Sequence, residues 1–241
     1  MQLRIKDLKH KYQRNSNYTL NGLNLLVEKG IKLGIFGPNG AGKTTLISLL
    51  TGITNPTSGT IEFLTKEENS MKGKIGYVPQ DFAFYEELTM HENLLFFGTM
   101  SGLSKKKAEE TSSHLITQLG LEKHFKKKVK YFSGGMKRRV NLAIGLVNEP
   151  KLLILDEPIV GIDAQSKNAI LKYLNELNKK GTTIIYTSHE LMEAETFCDY
   201  FVFLDNGNFV LDGKLHDILE SNHAKDLKEL FLKVTGEEYR D

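Results

Sequence analysis

The sequence is poor in the residues that build disulfides, zinc sites and membrane spans. Among its 241 residues there is one cysteine, Cys198, which excludes an internal disulfide and a cysteine-based zinc site and is typical of a reducing cytosol. No apolar stretch approaches the ~18 residues needed to cross a bilayer, and the first residues lack the apolar region of a signal peptide. We therefore expect a chain that is soluble by itself.

The sequence also lacks an excess of charge of either sign. The formal net charge is +2, so no basic field of the whole chain indicates a nucleic-acid partner. Lysine runs at 105–107 and 126–128 are typical of solvated helix faces, with contact to acidic lipid or to a partner as the alternative. At this length the chain accommodates one large domain, or one domain with an inserted lobe.

The most informative segment is a complete phosphate-loop motif, Gly-x-x-x-x-Gly-Lys-Ser/Thr. A short apolar strand precedes it, and the helix that follows directs the positive end of its dipole at a bound anion. The glycines allow backbone N–H groups to point at phosphate oxygens, Lys43 supplies a cation for the β- and γ-phosphates, and Thr44 offers a hydroxyl to Mg²⁺. The sequence therefore predicts that the chain binds a nucleoside triphosphate. The residues assigned to this site are Gly37, Pro38, Asn39, Gly40, Ala41, Gly42, Lys43, Thr44 and Thr45.

The apolar pattern along the chain predicts an α/β core with a helical lobe inserted in its sequence. Alternating stretches at 3–12 and 20–27 predict antiparallel strands of a half-exposed sheet. Further strands are predicted at 32–36, 60–63, 74–78, 152–155, 183–187, 200–204 and 208–211. After Thr89, a helix is predicted by the helical spacing of Asn93, Leu94, Phe97 and Met100. Further helices are predicted at 45–50, 104–119 with Ser104 as its cap, 136–147, 164–179 and 191–198, with a short amphipathic stripe at 227–234.

A second chemical feature is an apolar strand that ends in two carboxylates, Asp156 and Glu157. The fully apolar run at 152–155 is typical of a buried parallel strand, and ligands gather at the carboxyl ends of such strands. Because a phosphate loop lies in the same chain, we expect Asp156 to hold Mg²⁺. Glu157 is then expected to orient the attacking water, as a general base or by positioning it.

A third feature is the triplet Ser133, Gly134 and Gly135, which opens the helix predicted at 136–147. A serine and two glycines at a helix start are suited to an anion, although a capped turn is the ordinary explanation of such a triplet. One phosphate loop does not need a second anion-binding helix start, unless two chains face each other.

These motifs, in this order, resemble the nucleotide-binding subunits of ATP-binding cassette (ABC) transporters over about residues 2–220. The resemblance implies the fold of that family, a P-loop NTPase ATP-binding cassette with an N-terminal antiparallel β subdomain and an inserted helical lobe. It divides the chain into an ABC ATPase domain at 1–220, with its core at 1–88 and 149–220 and its lobe at 89–148, and a short C-terminal amphipathic helix or tail at 221–241.

The resemblance also implies roles for residues that are weak signals alone. Ser133, Gly134 and Gly135 match the signature loop, which caps the γ-phosphate held by a partner subunit, and Asp163 matches the loop that crosses the dimer interface. ATP and Mg²⁺ are the implied cofactors.

Three more positions match the family. Gln80 matches the glutamine that touches Mg²⁺ or the attacking water, and His189 matches the switch histidine that hydrogen-bonds the γ-phosphate. Tyr12 occupies the place of the aromatic residue that stacks on adenine, with Tyr18 as its competitor. Catalysis is thus assigned to Lys43, Gln80, Glu157 and His189, and Mg²⁺ binding to Thr44, Gln80 and Asp156.

Three positions depart from the common family pattern, and we expect at most a modest effect on rate. Met136 stands where glutamine is usual, Ile159 replaces a threonine, and Ile162 replaces a leucine. The run at 133–139 resembles bacterial exporters whose ATPase and membrane chains are separate.

The resemblance implies a subunit at the cytoplasmic face of the cell membrane, held there by separate transmembrane permease subunits. Docking is expected beside Gln80 and segment 82–87, whose aromatic rings either form that interface or pack inside the lobe. ATP binding is expected to bring two such chains together, as a homodimer or with a second ATP-binding subunit. An importer-type ATPase, a soluble ABC ATPase acting on DNA or ribosomes, and a nucleotide-gated module without turnover are the alternatives.

Overall fold

A computed structural model describes residues 2–12, 17–64 and 75–236. The chain forms two compact units, the first combining residues 1–68 with 183–241 and the second containing residues 69–182. The domain bounds expected from the family stay a prediction. In the part of the chain that the structure describes, no helix is both long and apolar enough to cross a membrane.

The described residues of the first unit form strands of two sheets and four helices. Its strands are β1 (Gln2–His10), β2 (Leu20–Val27), β3 (Lys32–Phe36), β4 (Ser58–Leu64), β7 (Thr183–Thr187), β8 (Tyr200–Asp205) and β9 (Asn208–Gly213). Its helices are α1 (Lys43–Leu50), α6 (Leu191–Phe197), α7 (Leu215–Ser221) and α8 (Leu227–Thr235).

An antiparallel sheet in the order β2-β1-β4 forms the N-terminal part of the first unit. Alternation along β1 buries Leu3, Ile5 and Leu8 against the core, as the apolar pattern predicted. The register shifts near Asp7, which has a φ of 46°. At this point β4 approaches β1 so closely that a Cβ at Gly59 would lie 2.2 Å from the carbonyl oxygen of Asp7.

The other sheet of the first unit positions the phosphate loop. β3 pairs in parallel with β7 on one side and with β8 on the other, and β9 pairs antiparallel with β8. β7 is buried at every residue, and its β-branched and aromatic side chains suit a strand that is covered on both faces. The parallel pairing brings the carboxyl ends of β3 and β7 to the same edge.

The second unit combines two parallel strands with the main helices. They are β5 (Ile75–Val78), β6 (Leu152–Asp156), α2 (Met90–Met100), α3 (Lys105–Gln118), α4 (Gly134–Leu146) and α5 (Ala164–Lys179). Thr89, Ser104, Ser133 and Asp163 cap the four helices through side-chain oxygens that accept backbone N–H groups. The predicted cap Ser104 is thereby confirmed.

Several predicted bounds shift in the structure. α4 begins at Gly134 rather than at 136, because the Ser133 hydroxyl satisfies the first turn in spite of the low helix propensity of two glycines. α7 was not predicted at all. Lys74, the first residue of one predicted strand, lies outside the described residues, and the strand is seen from Ile75.

Candidate functional site

The phosphate loop connects β3 to α1 through backbone that requires glycine at three places. Gly40 and Gly42 have φ values of 77° and 109°, and Gly42 is the residue before the first turn of α1. A Cβ at Gly37 would lie 2.1 Å from the carbonyl oxygen of Leu204. The ammonium group of Lys43 donates to the carbonyl oxygens of Gly37 and Pro38, at 2.6 and 3.0 Å. The loop therefore curls around the Lys43 ammonium group at the N-terminal, positive end of the α1 dipole. This arrangement is suited to binding phosphate.

The structure brings Tyr12 to this helix start. The hydroxyls of Tyr12 and Thr45 share a hydrogen bond of 2.9 Å, while 65% of Tyr12 is exposed to solvent. Tyr18 instead lies between two lysines, with the ammonium groups of Lys9 and Lys11 at 5.7 and 5.5 Å from its ring centre. Of the two candidates for stacking on adenine, the geometry favours Tyr12.

His189 emerges beside the start of the phosphate loop. Ile35 of β3 pairs with Thr187 of β7, so Gly37 and His189 each follow a neighbouring parallel strand at the same sheet edge. The loop is shaped by Ser188, whose hydroxyl accepts the N–H of Glu190 at 2.9 Å. His189 is exposed, which places an imidazole at the edge where the phosphate loop begins.

In the second unit, Gln80 and Glu157 meet directly. They follow the parallel strands β5 and β6, and the amide Nε2 of Gln80 donates to Oε2 of Glu157 at 3.0 Å. Glu157 is 7% exposed and has a φ of 50°, a left-handed conformation that is strained for a residue with a Cβ. The pair therefore holds a buried carboxylate in one orientation.

Asp156 lies at the end of β6, next to Glu157, and adds negative charge there. Burial raises the pKa of the Tyr77 phenol to about 12, and the negative charges of Asp156 and Asp81 add to this rise. A concentration of carboxylate oxygens at a strand end suits a hard cation such as Mg²⁺.

The signature-like triplet is built into the start of α4. The Ser133 hydroxyl accepts the N–H of Met136 at 3.3 Å, and both Ser133 and Gly134 are exposed. Gly135 is buried, and a Cβ there would lie 2.5 Å from Oγ of Ser166 and 3.0 Å from Oδ2 of Asp163. Glycine is required because the starts of α4 and α5 are this close.

Asp163 is itself a helix cap. Its Oδ1 accepts the N–H of Ser166 at 2.9 Å, and the hydrogen bonds from Ser166 lower the pKa of the Asp163 carboxyl. The structure thus brings Gly135 and Asp163 together in one chain. Their roles at a dimer interface stay predictions.

Sequence reasoning missed two buried polar residues of α4. Arg138 and Asn141 are 7% and 1% exposed, and both bind the backbone around Gln80. The signal was present, because two polar residues three positions apart share one face of a helix whose other inward residues are apolar.

Segment 82–87 carries aromatic rings that contact each other and also face solvent. Phe82 stacks on Phe84 with ring centres 5.2 Å apart, and Tyr85 contacts Phe96 and Phe97 of α2. Phe82, Tyr85 and Phe96 are 41%, 52% and 38% exposed. The rings therefore pack partly against the lobe and partly face solvent, and their role as an interface stays a prediction.

The donor types present fit the implied cofactors. Thr44, Gln80 and Asp156 offer a hydroxyl, an amide oxygen and a carboxylate, which are the oxygen ligands that Mg²⁺ accepts alongside water and phosphate. Among the described residues, no group of three or more His, Cys, Asp or Glu is placed to hold a metal by itself.

Comparison with known proteins gives a consistent assignment. The family model described as ABC transporter matches residues 20–160. The linearmycin resistance ATP-binding protein LnrL of Bacillus subtilis (strain 168) is 41% identical, over 90% of this chain and 70% of the relative. The Nod factor export ATP-binding protein I of Burkholderia lata is 38% identical, over 88% of this chain and 71% of the relative. A solved structure described as the ATP binding subunit of an ABC transporter is 32% identical, with a TM-score of 0.85 over 97% of this chain and 99% of that one.

Proposed function

This chain belongs to the ABC transporter family as an ATP-binding subunit that hydrolyses ATP, and we propose that it powers export of a substrate through separate transmembrane subunits. The observation that supports the hydrolytic step of this proposal is the hydrogen bond between Gln80 and Glu157. It holds a carboxylate one residue beyond Asp156, in the place that suits the orientation of an attacking water. A module that only binds nucleotide has no need of this strained pair.

Export is favoured over import by two observations. The first two relatives are named for resistance and for export. The run at 133–139 continues the signature triplet with Met136, Lys137, Arg138 and Arg139, as in exporters with separate membrane chains. Import by the same cycle is the second candidate.

The residues of the site are proposed to have separate tasks at bound ATP. Lys43 exchanges its bonds to the Gly37 and Pro38 carbonyls for phosphate oxygens, which are stronger acceptors. Glu157 and Gln80 orient the attacking water, and His189 hydrogen-bonds the γ-phosphate. Thr44 and Asp156 would each offer an oxygen ligand to Mg²⁺, which would supply positive charge near the phosphates.

Completion of the site is proposed to require a second chain. Ser133 and Gly134 are exposed at the start of α4, and there they present N–H groups and a helix dipole to the γ-phosphate bound by a partner. ATP then stabilises the closed dimer by mass action, and hydrolysis removes that stabilisation. The cycle of closing and opening drives the transmembrane subunits.

We place the chain at the cytoplasmic face of the membrane, docked through segment 82–87. The exposed rings of Phe82 and Tyr85 provide the apolar area that such an interface buries.

The first experiment is a pull-down of the tagged chain from gently solubilised native membranes. A co-purifying multi-span protein is the expected result. Recovery only from cytosol, with ribosomes or DNA, would overturn the membrane assignment and leave the ATPase intact.

The direction of transport is tested with the purified complex in liposomes, with the ATP-binding subunits facing outward. Lipophilic fluorescent probes added outside should accumulate in the lumen on addition of MgATP, and a complex with Glu157→Gln is the control that should not accumulate them. ATP-driven release of a substrate from the lumen would show import instead.

A further inference from the structure

Arg138 is a buried cation of α4 that joins the two loops of the hydrolytic pair. Its Nη1 donates to the carbonyl oxygen of Gln80 at 2.5 Å, and its Nη2 donates to that of Val160 at 3.3 Å. Gln80 follows β5, and Val160 lies three residues beyond Glu157 in the loop that follows β6. One planar guanidinium therefore ties together the backbones that hold Gln80 and Glu157.

The side chains of the same loops meet in a hydrogen bond. Nε2 of Gln80 donates to Oε2 of Glu157 at 3.0 Å, and this bond depends on where the Gln80 backbone lies. A shift of about 1 Å in a catalytic group can cost about 100-fold in rate, so the position of that backbone matters for turnover.

Asn141 holds the flanks of the Gln80 loop independently of Arg138. Its Nδ2 donates to the carbonyl oxygen of Pro79 at 2.9 Å, and its Oδ1 accepts the N–H of Ala83 at 2.9 Å. Asn141 thus keeps the loop attached to α4 when Arg138 is changed. What Arg138 adds is the contact at Gln80 itself.

Phe82 covers the guanidinium. Its ring centre lies 4.9 Å from Cζ of Arg138, while 41% of Phe82 is exposed. Burial lowers the pKa of Arg138, and the carboxylates of Glu157 and Asp81 oppose that effect. Arginine stays charged in proteins, so a cation is held between an aromatic face and the carboxylate side of the loops.

We propose that Arg138 is a positioning residue for ATP hydrolysis, which fixes the Gln80–Glu157 pair through the carbonyls of Gln80 and Val160 and is itself held in place by the ring of Phe82. The inference rests on the roles proposed above for Gln80 and Glu157. Under this proposal α4 has two functions, since it exposes Ser133 at its start and positions the Gln80–Glu157 pair through Arg138.

The test compares the kcat of ATP hydrolysis with the Kd for ATP in the purified chain. Arg138→Met should lower kcat by about tenfold or more while ATP affinity stays within about twofold. Arg138→Lys keeps the charge but cannot reach both carbonyls, so its kcat should fall between those of the wild type and Arg138→Met. Phe82→Leu should lower kcat about threefold.

Each changed residue has a matched control. Arg139 is the neighbour of Arg138 on α4 and donates to the carbonyl oxygen of Leu119 rather than to the Gln80 loop. Phe96 is an exposed ring of α2 that contacts Tyr85 and lies outside segment 82–87. Arg139→Lys and Phe96→Leu should keep kcat within about twofold of the wild type.

A double-mutant cycle separates positioning from general stabilisation. If Arg138 acts through the Gln80–Glu157 pair, Arg138→Met should lower kcat by a clearly smaller factor in a Gln80→Ala background than in the wild type. A full additional loss in that background would overturn the inference, as would a wild-type kcat for Arg138→Met. Should Arg138→Met fail to fold, Arg138→Lys and Phe82→Leu replace it in the test, because a wild-type kcat for both overturns the inference.

Failure of the proposed hydrolytic site would give a different experimental result from failure of this inference. Wild-type turnover by Glu157→Gln would overturn the site and this inference together. Wild-type turnover by Arg138→Met beside an inactive Glu157→Gln would overturn the inference alone.

Discussion

Two exposed tyrosines, Tyr12 and Tyr18, compete at the residue scale for the role of stacking on adenine. The bond between Tyr12 and Thr45 anchors the first at the start of α1, whereas Tyr18 lies against lysines. Tyr12→Ala should weaken ATP binding about tenfold, since stacking on an aromatic ring contributes about 1–3 kcal/mol per base. Tyr12→Phe removes only the hydroxyl and should stay within about threefold. Fluorescence titration with labelled ATP measures both, and a larger loss for Tyr18→Ala would move the role to Tyr18.

The role expected of Lys43 also rests on individual hydrogen bonds. Its ammonium already donates to two carbonyls of the phosphate loop, and it is expected to donate to phosphate when ATP binds. Lys43→Ala should lower ATP affinity at least about tenfold, because hydrogen bonds of a charged donor contribute about 1.5–3 kcal/mol. Calorimetry is the measurement, with exposed Lys228→Ala of α8 as control. Unchanged affinity of Lys43→Ala would contradict the phosphate-loop assignment.

At the element scale, local signals predicted strands and helix caps, but they could not predict the contacts between distant segments. β2 and β3 occupy their predicted ranges because alternation and unbroken apolar runs are local properties. The bond from Arg138 to Gln80 joins residues 58 positions apart, and no spacing rule identifies which carbonyl a buried arginine meets. The phosphate loop and the carboxylates of β6 were recognisable because their backbone or charge demands particular residues, while their catalytic roles stay predictions.

Another element-scale contact ties segment 86–89 to the residues before α4. The N–H of Lys130 donates to the carbonyl oxygen of Glu86 at 3.0 Å, and the carboxylate of Glu87 pairs with Lys130 and Lys128 at 2.9 and 3.4 Å. These ion pairs are exposed, so we expect them to add little to the stability of the fold. Glu87→Gln should lower the thermal midpoint at pH 7 by at most about 2 °C, and 1 M salt should remove the difference.

The pH dependence of that effect has a defined sign. Hydrogen bonds from Lys130 and Lys128 lower the pKa of Glu87 below its ordinary value of 4.5. The pairs therefore stabilise the fold above that pH, and the stabilisation is lost as the pH falls through the lowered pKa. Thermal midpoints of wild type and Glu87→Gln should converge near pH 3, while the exposed control Glu109→Gln should match the wild type throughout. A difference that grows in acid would contradict the ion-pair explanation.

At the scale of the whole molecule, one chain contains every motif of a working site but is proposed not to complete that site alone. The phosphate loop belongs to the first unit, and Glu157 and Ser133 belong to the second. Ser133 and Gly134 leave their exposed helix start available to another copy. A chain with all motifs intact can build two equal sites in a homodimer.

Glu157→Gln tests this assembly, because it removes the carboxylate charge and keeps the shape of the side chain. The variant should bind MgATP normally, lose turnover by about 100-fold or more, and elute as a dimer of twice the 27.3 kDa chain mass in size-exclusion chromatography with light scattering. Without nucleotide it should be a monomer, and adding Lys43→Ala should abolish the dimer. Glu176→Gln, an exposed change on α5, is the matched control and should hydrolyse ATP like the wild type. A monomeric Glu157→Gln at saturating MgATP would contradict the two-chain site, and rapid turnover would remove Glu157 from the reaction.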